Sequence, residues 1–223
     1  MPKIAAEIAA RLLAAGRAGD ALGFLERAEF GGRTSVPEEW PAARPDVLET
    51  LGRSDEAQAF RLECFQRSLA SDHLRAYLKR LADFDDVEAE EQAMAHAVGY
   101  PEPLSALYFL INRPALDRAA QLVRQRFDEL DGDRYEILSP AAEALSARYP
   151  RAASLALRAM IDFTLSAGKS SRYQHAARHL AECDALASQI EDFGTVEPHA
   201  AYVARLRRDH GRKSGFWTRL EGK

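Results

Sequence analysis

Apolar residues recur along this chain at the spacing of one helix face and nowhere at the spacing of a strand. Ile4, Ile8 and Leu12 share a face, as do Ala21, Phe24, Leu25 and Ala28. Leu74, Tyr77, Leu78 and Leu81 keep the same period, and so do Leu116, Ala119, Ala120, Val123, Phe127 and Leu130. No run of four to eight residues alternates apolar with polar and carries the β-branched enrichment of a strand. Breakers divide the pattern. Gly16 ends the first helix, and the Gly-, Ser- and Pro-bearing stretch 29–46 reads as a long loop with at most one turn of helix. Pro41 and Pro45 shorten the next helix to about 46–52. Ser54 or Asp55 caps its partner over about 55–69. Further helices are expected from 71 or 72, over 86–98, after Pro103, after Pro114, and over 134–148, 150–167, 171–190 and 197–211. The expected number is about a dozen, joined by short loops, as in a helical-repeat array of this length.

The pattern also repeats itself. The segments LLAAGRAGDALGFLERA (12–28) and LETLGRSDEAQAFRLEC (48–64) superpose at a shift of 36 residues. Leu12 falls on Leu48, Gly16 on Gly52, Ala21 on Ala57, Phe24 on Phe60 and Ala28 on Cys64. In RYQHAARHLAEC (172–183) the same grammar returns, with Ala176, His179 and Cys183 in the small, aromatic and small positions. A glycine turn followed by a small residue where two helices cross is the mark of stacked antiparallel helix pairs.

These pairs resemble tetratricopeptide repeats, without the Trp-Leu-Gly of the first helix and without a constant period in the middle of the chain. Several longer stretches resemble the uncharacterised bacterial domain-of-unknown-function family 6880. They are HLRAYLKRLADFDDVEAEEQA (73–93), YEILSPAAEAL (135–145), AMIDFTL (159–165), RYQHAARHLAEC and YVARLRRDHGRKSGFW (202–217). The resemblance implies the same helical fold, and it implies that this chain is a C-terminal portion of a longer protein. That family has no assigned active site, so the resemblance places no functional residue.

Composition narrows the class. The chain has 223 residues, 47% hydrophobic and 29% charged, with a formal net charge of −4. Its two cysteines, Cys64 and Cys183, form no disulfide framework and point to reduced thiols and a cytoplasmic location. Glu7 and Arg11 interrupt the apolar N-terminus and exclude a signal-peptide core, and no apolar run approaches the ~20 residues of a membrane span.

Four constellations could carry chemistry. His175, His179 and Cys183 stand at i, i+4 and i+8 of one helix and could face a zinc ion. However, His179 and Cys183 occupy the packing positions of the repeat, so no metal is expected there. The acidic run Asp83, Asp85, Asp86, Glu88, Glu90 and Glu91 lacks the glycine and twelfth-position Glu of a calcium loop and instead complements a helix N-terminus. Residues 203–223 carry a net +5 against −9 for the rest, with Arg205, Arg208 and Arg212 on one helix face and Phe216 and Trp217 after them. Such a segment could grip phosphates and stack bases, or could dock on the acidic body. Ser166, Ser170 and Ser171 lie near His175 in sequence, but no nucleophile elbow, P-loop or dinucleotide fingerprint is present.

The sequence therefore predicts an all-α protein, a right-handed, irregular, tetratricopeptide-like stack of antiparallel helix pairs. It reads as one elongated domain over 1–223, with subdomains at 1–70 and 71–223 as the natural division. The expected role is a non-enzymatic interaction module, without cofactor, that holds a partner protein or peptide in the groove lined by its first helices. Tyr77, Lys79, Tyr108 and Tyr135 are its candidate contacts. The rival is a nucleic-acid accessory role for Arg205, Arg208, Arg212 and Trp217.

Overall fold

The computed structural model describes residues 2–29 and 39–221. Among these residues the chain is all helical, with thirteen α-helices, two short 3₁₀ turns and no strand. It forms two compact units, residues 1–93 and 94–223, and the division falls within the sixth helix.

The first unit begins with α1 (Pro2–Ala14), α2 (Ala18–Glu29), α3 (Glu39–Thr50) and α4 (Ser54–Ser68). The repeat seen in the sequence is a repeat of structure. Gly16 and Gly52 both take left-handed backbone, at φ 71° and 73°. In each turn the amide after the glycine donates to the carbonyl five residues back, Arg17 to Leu12 and Arg53 to Leu48, both at 2.9 Å. The glycine amide donates three back, to Leu13 or Glu49. This is the Schellman arrangement, and it satisfies carbonyls that the helix end would otherwise leave open. Ala21 and Ala57, 36 residues apart, are both buried in one core with Ala5, Ala9, Leu25, Val47 and Leu48. A small side chain there lets the paired helices approach closely.

Two expectations need correction. The helix predicted over 46–52 starts at Glu39, so part of the expected loop is α3. Pro41 lies in the first turn, where no intrahelical amide bond is lost, and Pro45 forfeits one bond while being buried beside Val47 and Leu48. Neither Ser54 nor Asp55 caps α4. Arg53 holds the cap position, with no side-chain cap bond. The rest of the 29–46 loop, residues 30–38, lies outside the described residues. The unit continues with α5 (Ser71–Leu78) and enters α6 (Asp85–Val98).

The second unit contains α7 (Pro103–Asn112), α8 (Leu116–Arg126), α9 (Tyr135–Ser146), α10 (Pro150–Ser166), α11 (Tyr173–Ala187), α12 (His199–His210) and α13 (Ser214–Glu221). Its centre is α10, which packs against α8, α9 and α11. Residues 152–161 of α10 are buried without a break, as a helix enclosed on all sides must be. Gly168 (φ 64°) ends α10 with the same turn as Gly16 and Gly52, Lys169 N–H donating to Thr164 O at 3.0 Å. Gly132 lets the turn before α9 lie directly on α10: a Cβ there would collide with the Ala159 carbonyl.

The C-terminal segment folds into this unit. The sequence pattern predicts no helix over residues 214–221, yet they form α13, which packs on α11. Phe216 is fully buried and Trp217 is 6% exposed. The Phe216 ring meets Tyr173 edge-on at 6.1 Å and Trp217 at 4.9 Å, and Trp217 Nε1–H donates to His210 O at 3.0 Å.

Candidate functional site

The second unit carries a groove whose floor is α10 and whose walls are α9 and α11. Tyr135 and Ser139 of α9 line one end with Arg172, His175 and His179, over Met160 and Thr164. Ala142, Glu143 and Ser146 line the other end with Glu182, Ala185 and Leu186, over Leu157. Ser139, Arg178 and His179 belong to both ends. The starts of α9 and α11 thus share one end and their finishes share the other, so the two walls run parallel while α10 runs the opposite way. Tyr135 to Ser146 covers eleven residues of rise, or ~16 Å. The two ends hold about 360 and 540 Å³, each within the ~300–1,000 Å³ range of binding clefts.

The groove is polarised. Among the described residues Arg172 and His175 line only the end at the start of α11 and Glu143 and Glu182 only the other, while Arg178 and His179 line both. Arg172 is fixed by an ion pair to Asp133 (2.5 Å) and by its stacking over the Tyr135 ring (5.1 Å). Arg178 reaches Glu182 at 3.4 Å and stays largely exposed. His179 is buried, with Nδ1 3.4 Å from Glu182, and burial holds its pKa below the ordinary histidine value against the pull of that carboxylate.

Of the residues singled out from the sequence, Tyr135, His175 and His179 line this groove. Tyr108 is exposed on α7, outside it. Tyr77 and Lys79 belong to the first unit, Tyr77 half-buried with its carbonyl accepting from Gln58 Nε2 at 3.1 Å, and Lys79 exposed. His175, His179 and Cys183 do not converge. His175 is exposed, while Cys183 is buried and donates to the Ser154 carbonyl at 3.7 Å. Burial pushes the Cys183 thiol up to about 11. Among the described residues no cluster of His, Cys, Asp or Glu has the geometry of a metal site.

The basic tail is largely engaged. Arg205 donates to Glu197 at 2.6 Å and to Asp162 at 3.0 Å, Arg208 pairs with Asp209 at 2.8 Å, and the Arg207 guanidinium lies 4.3 Å over Trp217. Arg212 is exposed. Beneath them Tyr202 is fully buried, with its hydroxyl 3.2 Å from Asp162 and burial raising its pKa well above the usual phenol.

The groove residues Ser139, Ala142, Glu143 and Ser146 were missed because they are small or polar. Their spacing of i, i+3, i+4 and i+7 is a helix face all the same. A face that keeps the helical period without apolar residues was the available signal.

A family model described as a family of unknown function (DUF6880) matches residues 1–219. The chain belongs to that family. The match spans nearly the whole of this DUF6880 chain and includes every groove residue. No curated protein and no solved structure matches it. Among the described residues of this DUF6880 protein no helix is long and apolar enough to cross a membrane.

Proposed function

We propose that this DUF6880 protein is a cytoplasmic interaction module, tetratricopeptide-like in its helix pairing, that seats a partner peptide or helix in the groove between α9 and α11. The observation that carries the reading is the parallel pair of walls over a buried floor, open for ~16 Å and lined by Leu157, Met160, Ala142 and Leu186 beneath a polar rim. Apolar floor under polar rim is the pattern of helix-in-groove recognition. The engagement of Arg205 and Trp217 inside their own unit weighs for the groove over a nucleic-acid role for the tail.

A peptide library selected on the purified protein tests this. Ser139→Trp fills the middle of the groove at a half-buried position. Selected peptides should lose at least tenfold in affinity on that variant and bind equally to the double variant Arg208→Glu/Arg212→Glu. Their affinity should change little between low and moderate salt. Oligonucleotide binding that collapses with salt and vanishes in the double arginine variant, with Ser139→Trp inert, would replace this reading with the nucleic-acid one.

A further inference from the structure

The basic end of the groove has a chemical counterpart elsewhere on the same chain. Residues 82–88 are all exposed and run from the turn after α5 into the start of α6. Within them Asp83, Asp85, Asp86 and Glu88 surround two apolar side chains that face solvent. Phe84 is 86% exposed and Val87 is 67% exposed, the two most exposed large hydrophobic residues among those described. Phe84 and Val87 together leave an apolar spot open to solvent inside this acidic segment. The groove end offers what this segment lacks: a concave apolar site over Met160 and Ala176 with Arg172, His175 and Arg178 at its rim, the two arginines each already paired with one carboxylate, Asp133 and Glu182.

We propose that the occupant of this groove end is the Asp83–Val87 segment of a second copy of the chain. The inference rests on the groove being the docking surface argued above, and it commits to self-association as its use. Phe84 enters the cleft over Met160. Asp85 and Asp86 face His175 and Arg178. Arg172 and Arg178 keep donors beyond those used on Asp133 and Glu182, because a guanidinium carries five and each forms one internal ion pair here. Two copies that exchange segments close into a dimer, whereas one-way insertion propagates into a chain.

Sedimentation equilibrium over a wide concentration range reads this directly. Wild-type protein should gain mass with concentration, and added salt should weaken the association. Phe84→Ser, which leaves the charge unchanged, should weaken it roughly tenfold or more, as loss of a buried aromatic anchor does. Asp85→Lys/Asp86→Lys and His175→Glu/Arg178→Glu alter exposed positions only. Each should be monomeric alone, and an equimolar mixture of the two should associate again, because each reversed segment then meets a reversed groove. Circular dichroism of each variant confirms its fold, and recovery in the mixture cannot come from misfolded protein. A wild type that stays monomeric throughout overturns the proposal. So does association that ignores Phe84→Ser, or charge-reversed variants that do not recover on mixing. If monomeric protein still binds selected peptides in a Ser139→Trp-sensitive way, self-docking fails and the groove reading stands.

Discussion

Replacing Phe216 by Ala isolates how far the C-terminal helix belongs to the second unit. Its ring is fully buried and meets Tyr173 and Trp217 edge-on, at 6.1 and 4.9 Å. Removing it takes away the transfer energy of a buried aromatic and leaves a cavity, together ~3–5 kcal/mol. For a unit the size of residues 94–223, one kcal/mol moves the melting temperature by about 3–5 °C. The variant should therefore melt roughly 10–20 °C lower in the transition that unfolds this unit. Thermal melts followed by far-ultraviolet circular dichroism read the shift. In a Trp40→Phe background Trp217 is the sole tryptophan, so its fluorescence follows the tail alone. Trp217 should be protected from iodide quenching before the substitution and exposed after it. A shift below about 3 °C, with Trp217 freely quenched in the parent, would refute the packed tail.

Gly132→Ala should cost about 1–3 kcal/mol, because its Cβ would meet the Ala159 carbonyl and the Phe163 side chain, and a urea melt measures this. Stability should fall on acidification, since burial lowers the pKa of both His179 and His199 in the folded chain. Folding then favours the neutral rings, so their contribution is complete above the unfolded histidine value of about 6.5 and is lost as pH falls through it toward the lower folded values. His179→Gln should flatten that slope in melts recorded from pH 8 to pH 5, and an unchanged slope would exclude His179 as a source. In a Cys64→Ser background, Cys183 should resist Ellman's reagent at pH 8 until denaturant is added, because its thiol is buried and held near 11.

The fold was legible where one residue type enforces a geometry. Gly16 and Gly52 mark left-handed helix ends, and Ala21 and Ala57 mark close helix crossings, so the pairing of α1–α2 and α3–α4 could be read from letters. Two of the misses share a cause: burial overrode a local rule. Pro41 and Pro45 looked like stops, yet Pro45 is buried within α3. Residues 214–221 looked like a basic-aromatic tail, yet Phe216 and Trp217 become the apolar face of α13 on Tyr173. The groove was half legible. Tyr135, His175 and His179 drew notice as chemical groups, whereas Ser139, Ala142, Glu143 and Ser146 did not, because an open surface is defined by what packs against nothing.

The central claim is that partners enter between α9 and α11, and amide chemical-shift mapping of the protein with a selected peptide tests it most directly. The perturbed amides should cluster at Ser139, Ala142, Glu143, His175, Arg178, His179 and Glu182, along both walls. Perturbations confined to residues 205–217, with these amides unmoved, would contradict the account and place binding on the tail.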